Sequence, residues 1–202
     1  MKAALKLKDC QMREIVFDYF ESQGSKLRIL EEFCITHKTR TDAFVVTEDR
    51  FIGIEFKSDR DNLDRLEHQI KDYQRFCDEN YIVIGAYFNS RLSKLKEILP
   101  EYWGIFVVYI DEDDKLTKLK LLREAKKSPK CRLKNQLHLL WRSELITLVR
   151  QNHLGGVTAY NKMQLGDKLF HGVDREQLKK MICNQLLERD YTIYSDNKQI
   201  EN

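Results

Sequence analysis

Two stretches of seven residues are apolar almost throughout: residues 81–87 (YIVIGAY) and residues 104–110 (GIFVVYI). Runs this short and this apolar fit strands covered on both faces, not amphipathic surface elements. Between them, residues 91–99 have helical spacing and stop at Pro100, which cannot continue a helix. Any fold for this chain must therefore bury these strands beneath helices on two sides.

The rest of the chain follows from the same periodicities. Residues 9–22 place Met12, Ile15, Val16, Tyr19 and Phe20 on one helical face, and Gly24 ends the pattern. Residues 27–35 predict a strand. Residues 41–47 and 51–57 predict two more, joined as a hairpin by Glu48-Asp49-Arg50. In the second of these, Phe51, Gly53, Glu55 and Lys57 face one way and Ile52, Ile54 and Phe56 the other. Leu63, Leu66, Ile70, Tyr73 and Phe76 predict a helix over 62–79, and the alternation in 115–122 predicts an edge strand. The first 122 residues thus read α-β-β-β-α-β-α-β-β, a mixed central sheet flanked by helices in an α/β fold. A basic linker is expected at 123–134. Helices over 135–151, 160–170 and 174–189 are expected to form a small C-terminal helical subdomain, 135–202.

Of the 202 residues, 42% are hydrophobic and 33% charged, enough apolar content for a buried core and against wholesale disorder. No apolar run approaches the roughly 18–20 residues that span a bilayer. The first twenty residues carry Lys6, Lys8 and Asp9 where a leader would be apolar. The five cysteines are scattered without a CxxC pair, which points away from structural zinc and a disulfide framework and toward the cytoplasm. The net charge of +3 hides an asymmetry: residues 115–150 hold eleven Lys and Arg against two acids, while the first 114 residues are net acidic. A basic block beside a carboxylate-rich region suggests a polyanionic partner, and a solvated linker is the plain alternative.

The carboxylates themselves are patterned. Asp42 opens one strand of the hairpin and Glu55-Phe56-Lys57 closes its partner, so the strand ends can meet at one sheet edge. Glu55 and Lys57 project to the same face. Two carboxylates and an ammonium in a small volume suit Mg²⁺ or Mn²⁺, polarisation of a phosphate, and stabilisation of charge by lysine. A charged sheet edge with a local Glu–Lys pair is the structural alternative.

The segment RTDAFVVTEDRFIGIEFKSDRDNLDRLEHQIKDYQRFCDENYIVIGAYF resembles the core of the PD-(D/E)XK, restriction-endonuclease-like, nuclease superfamily. The match rests on E-x-K-S-D-x-D, then R-L-x-x-Q-x-x-x-Y, and then an apolar strand. It covers residues 40–88, with a looser match over 9–110. These motifs resemble small bacterial and phage nuclease-like proteins related to Holliday junction resolvases, virus-type replication-repair nucleases and MmcB-type repair proteins. The resemblance implies that Asp42 and Glu55 hold Mg²⁺ or Mn²⁺ together with the Phe56 carbonyl, that Lys57 is the catalytic lysine, and that Gln69 and Tyr73 flank the site. It implies a glutamate from the first helix at the metal, a place that Glu14 takes, with Glu31 and Glu32 as alternatives. Thr41 stands where the motif's proline would be. Ser58, Asp59 and Asp61 would shape the following helix.

The resulting expectation is a metal-dependent deoxyribonuclease in repair, recombination or phage and defence biology. It would select structure or context, with DNA along Lys126, Lys127, Lys130, Arg132 and Lys134 and with Arg40 gripping a phosphate or pairing with Asp42. A homodimer is left open, and no membrane partner is expected. The C-terminal helices resemble a SAP-like DNA-binding unit, with a helical cap as the alternative. A silent DNA-binding protein of the same fold and a protein-interaction module are the competing functions.

Overall fold

The computed structural model describes residues 7, 9–58, 61–86, 92–111 and 113–192. In chain order the elements are α1 (Asp9–Glu21), β1 (Leu27–Cys34), β2 (Arg40–Thr47), β3 (Phe51–Lys57), α2 (Leu66–Phe76), β4 (Glu79–Gly85), α3 (Leu92–Ile98), β5 (Gly104–Ile110), β6 (Thr117–Arg123), α4 (Leu133–Leu137), α5 (Arg142–Gln151), α6 (Lys162–Gly172) and α7 (Arg175–Glu188). The six strands form one sheet in sequential order, β1 to β6. β3 runs parallel to β4, and β4 to β5; the outer pairings are antiparallel. The architecture is the expected mixed α/β sheet. Among the described residues no helix is long and apolar enough to cross a membrane.

The burial of the strands explains their composition. β3 is buried at every residue, and β4 and β5 almost so, while β1 and β6 are half open. α1 covers one face through Met12, Val16 and Phe20, packed on Ile52, Ile54, Phe56, Val83 and Phe106. The other face carries α2, α3 and the C-terminal helices in one apolar cluster, which joins Phe44, Ile82 and Trp103 to Leu145, Leu169 and Leu186. The helices after residue 134 therefore share their core with the sheet.

Three boundaries differ from the expected ones. The helix expected over 62–79 is Leu66–Phe76, because the Asp78 N–H donates to the Phe51 carbonyl and the chain turns directly into β4. The helix expected over 135–151 breaks into α4 and α5. The Trp141 N–H donates to the Glu144 carboxylate at 2.6 Å, and Arg189 grips that carboxylate at 2.6 and 2.7 Å while also donating to the Leu139 carbonyl. Arg189 is 6% exposed, so a buried guanidinium bonded through Nε and Nη2 fixes the break.

The third difference concerns the basic stretch 123–134, which is strapped down. The Lys126 N–H donates to the Tyr102 carbonyl, the Ser128 N–H to that of Asp78, and the Arg132 N–H to that of Arg75. The Ser128 hydroxyl donates to the Gln74 carbonyl at 2.7 Å. These bonds fix the strap against the C-terminal end of α2 and the start of β4. Glu79 pairs with Ile52, whereas Lys57 pairs with Ile84. The strap therefore lies toward the other end of the strands, roughly 10–13 Å from Glu55 and roughly 17–20 Å from Lys57 at about 3.3 Å per residue. Lys126, Lys127, Lys130 and Arg132 are exposed on this strap, and Lys134 pairs with Asp167.

Candidate functional site

β2 and β3 keep their antiparallel register only as far as Ala43 opposite Ile54. Beyond that pair they part, and each frees a backbone N–H that must find a partner. The Phe56 N–H donates to Asp42 Oδ2 at 2.7 Å. The Asp42 N–H donates to the Tyr73 hydroxyl at 3.0 Å. On the other side of β2, Glu32 takes a left-handed conformation, φ 52°, and has no register partner between Glu31–Ala43 and Phe33–Thr41. The fork is thus held open by side chains of the expected site.

Glu55 lies at its centre and is 1% exposed. Its Oε1 accepts from Lys57 Nζ at 2.7 Å and from Gln69 Nε2 at 2.6 Å; its Oε2 accepts from the Tyr73 hydroxyl at 2.7 Å. Lys57 also donates to Gln69 Oε1 at 3.2 Å. Gln69 and Tyr73, four apart on α2, face the strand together as neighbours one turn apart do. Asp42, Glu55, Phe56, Lys57 and Gln69 all line one pocket of about 500 Å³, with Arg13, Ser58, Asp61, Asn62 and Arg65.

The electrostatics follow from burial. Desolvation and the neighbouring Glu55 carboxylate push Asp42 up to about 7, against the opposing pull of the Phe56 N–H, Arg13 and Lys57. Burial and the same two carboxylates push the Tyr73 phenol well above its usual value, so it stays a hydrogen-bond donor. Tyr73 is fully buried and also bonded to the site; it belongs to the core and to the constellation at once.

The structure brings together Asp42, Glu55, Lys57, Gln69, Tyr73 and the Phe56 backbone. It does not bring Glu14, which is exposed and does not line the pocket. α1 turns Arg13 inward instead. Arg13 Nη1 donates to the Asp42 carbonyl at 2.9 Å and to Glu31 at 3.1 Å, and its guanidinium lies 5.0 Å over the Phe56 ring. Arg40 pairs with Glu32 at 3.0 Å, not with Asp42. The helical period carried this signal: Glu14 aligns with Asp18 and Glu21 on the polar stripe, while Arg13 aligns with Val16, Phe17 and Phe20 on the apolar one. Of the loop residues expected to shape α2, Ser58 donates its N–H and hydroxyl to Asp61, both at 2.7 Å, and Asp59 lies outside the described residues.

Among the described residues, no group of three or more His, Cys, Asp or Glu side chains is placed to hold a metal ion. A cation here would draw on two carboxylates and the Phe56 carbonyl.

A family model described as Bacteriophage P4 protein cII matches residues 4–200. No curated protein matches the chain. Among solved structures, the SPO1766 protein of unknown function from Silicibacter pomeroyi is similar, at 17% identity and a TM-score of 0.48, covering 78% of this chain and 98% of that one.

Proposed function

We propose that this chain, which belongs to the bacteriophage P4 protein cII family, is a metal-dependent nuclease of the PD-(D/E)XK type that hydrolyses phosphodiester bonds in DNA. One observation carries the reading: Asp42, Glu55 and Lys57 converge in a single pocket at the β2–β3 fork, with Gln69 and Tyr73 both bonded to Glu55. The element order α1-β1-β2-β3-α2-β4, with β3 and β4 parallel, supports it.

The donor set fits Mg²⁺ or Mn²⁺. Hard carboxylate and carbonyl oxygens are what these ions take, and Mg²⁺ commonly keeps one or two carboxylates with the remainder from water and phosphate. Asp42 is raised first by burial and then by the Glu55 carboxylate, and the Phe56 N–H, Arg13 and Lys57 do not fully offset the two. Asp42, Glu55 and the Phe56 carbonyl would hold the ion, which supplies polarisation of the phosphate and a water of lowered pKa. Lys57 Nζ, fixed by Glu55 and Gln69, stabilises negative charge on the phosphorane and orients the attacking water. Gln69 and Tyr73 act through Glu55 as positioning residues.

The test is incubation with linear, circular, branched and single-stranded DNA in Mg²⁺, Mn²⁺ or EDTA. Cleavage should require the cation and vanish in Lys57→Ala, which should still bind the ion. No cleavage of any substrate by the wild type would sink the reading.

A second reading, DNA binding without cleavage, is favoured by the strap. Its exposed Lys126, Lys127, Lys130 and Arg132 stand away from the pocket, so they offer a phosphate-binding surface independent of it. Salt-dependent binding with intact DNA in every cation would select that reading.

A further inference from the structure

The corner of the pocket where α1 was expected to bring a carboxylate is filled by a guanidinium. Arg13 holds the Asp42 carbonyl at 2.9 Å and lies over the Phe56 ring at 5.0 Å, so it braces both residues that flank the fork. It is itself held from outside by Glu31 at 3.1 Å and Glu32 at 3.7 Å, carboxylates that are 55% and 50% exposed and therefore screened by water. The Arg13 side chain is 16% exposed. Its charge reaches Asp42, where it opposes protonation.

Resting on the nuclease reading above, we infer that this site takes one divalent cation per chain, and that Arg13 supplies, beside Asp42, the positive charge that a second cation would bring to the substrate phosphate. Three observations lead there. The donor set contains two carboxylates; Asp61 also lines the pocket but accepts from Ser58, and among the described residues no three such groups are placed to hold an ion. A fixed positive charge beside those donors repels a second dication. A guanidinium fork matches phosphate oxygens, and Arg13 lines the cavity where a phosphate would enter, in exchange for its contacts to the half-exposed Glu31 and Glu32. Arg13 serves the substrate phosphate and at the same time positions Asp42.

Two effects on the 202-residue chain follow. Removing the charge in Arg13→Gln should raise Mn²⁺ affinity by about tenfold, the order expected for a partly exposed unit charge acting on a dication at several ångströms. The same variant should cut kcat by roughly 10²–10³, as for loss of one donor to a developing oxyanion. Arg13→Lys, which keeps the charge but not the fork, should hold wild-type Mn²⁺ affinity and recover part of kcat. Calorimetric titration of Mn²⁺, without DNA and at about pH 8, should give one ion per wild-type chain. Two ions per chain, or an Arg13→Gln variant whose affinity falls together with its activity, would overturn the inference and leave the nuclease reading intact. A wild-type chain that neither binds Mn²⁺ nor cleaves DNA would overturn both.

Discussion

At the scale of single residues, the site is a problem in charge burial. Glu55 is almost fully enclosed and accepts three hydrogen bonds, and Tyr73 closes the set by accepting from the Asp42 N–H while donating to Glu55. Tyr73→Phe keeps the ring and removes one hydroxyl, leaving the part-buried Asp42 N–H and the buried Glu55 Oε2 without that partner. Denaturant titration should show a loss of about 1–3 kcal/mol, the usual cost of an unsatisfied buried polar group. A variant as stable as the wild type would mean that the hydroxyl is not holding the fork. Asp42 gives a second expectation. Its carboxyl titrates near 7 in the folded chain against an ordinary 3.8. Between those values the folded chain holds a proton that the unfolded chain has released, so the metal-free protein should lose stability as pH rises from about 4 to about 7. Over the upper part of that window a cation must displace the proton. Its affinity should therefore climb by up to about tenfold per pH unit and level off above 7. Mn²⁺ titrations at about pH 5.5, 6.5 and 8 check this; a flat affinity would remove Asp42 from the donor set.

At the scale of elements, the contact between β3 and α2 decides whether the site forms. Gly53 lies beneath the Tyr73 ring: a Cβ there would stand 2.8 Å from Tyr73 Cδ1, 2.8 Å from Cys77 Sγ and 2.9 Å from Asn80 Oδ1. Gly53→Ala should therefore cost about 1–3 kcal/mol through overpacking. It should also lower cleavage beyond what the lost stability explains, because the ring it displaces carries the hydroxyl that holds Glu55 and Asp42. Thermal melts alongside kcat on the folded variant separate the two effects, and unchanged kcat would show that Tyr73 can shift without disturbing Glu55. The β2–β3 hairpin was legible because its alternation was unambiguous. Ile52, Ile54 and Phe56 are buried against α1, and Glu55 meets Gln69 and Tyr73 of α2 on the opposite face, where Lys57 also bonds Glu55 and Gln69. The split of α4 from α5 was not legible, since the Arg189 that enforces it comes from beyond the end of α7, and a contact over 45 residues leaves no periodic trace.

At the scale of the whole molecule, the strap and the pocket lie toward opposite ends of the strands, so they should be separable on DNA. Replacing Lys126, Lys127, Lys130 and Lys134 by Ala should flatten the log–log salt dependence of binding to long duplexes by up to roughly 3.6, at about 0.9 per phosphate contact. Since Lys134 is engaged by Asp167, a fall nearer roughly 2.7 fits three contacts better. Cleavage of a duplex too short to span both ends should be unchanged. An unaltered slope would assign the strap to structure alone, and a slowed short-duplex reaction would place DNA differently from this arrangement.

The sequence by itself determined the order of elements from α1 to β6 and the chemistry available at the hairpin. Both depend on local periodicity: alternation in β3, three-and-four spacing in α2, and unbroken apolar runs in β4 and β5 whose two faces are covered. Only the tertiary structure decided where the basic charge lies and that the apolar stripe of α1, Arg13 included, meets the pocket. Arg13 and Glu14 are adjacent in sequence, and α1's docking through Met12, Val16 and Phe20 turns the first inward and leaves the second in water. The strap's position was equally hidden, because it is fixed mainly by backbone hydrogen bonds to Arg75, Asp78 and Tyr102, with the Ser128 hydroxyl on the Gln74 carbonyl. Backbone groups are common to every residue, so no side-chain pattern announces where such a segment will be tied.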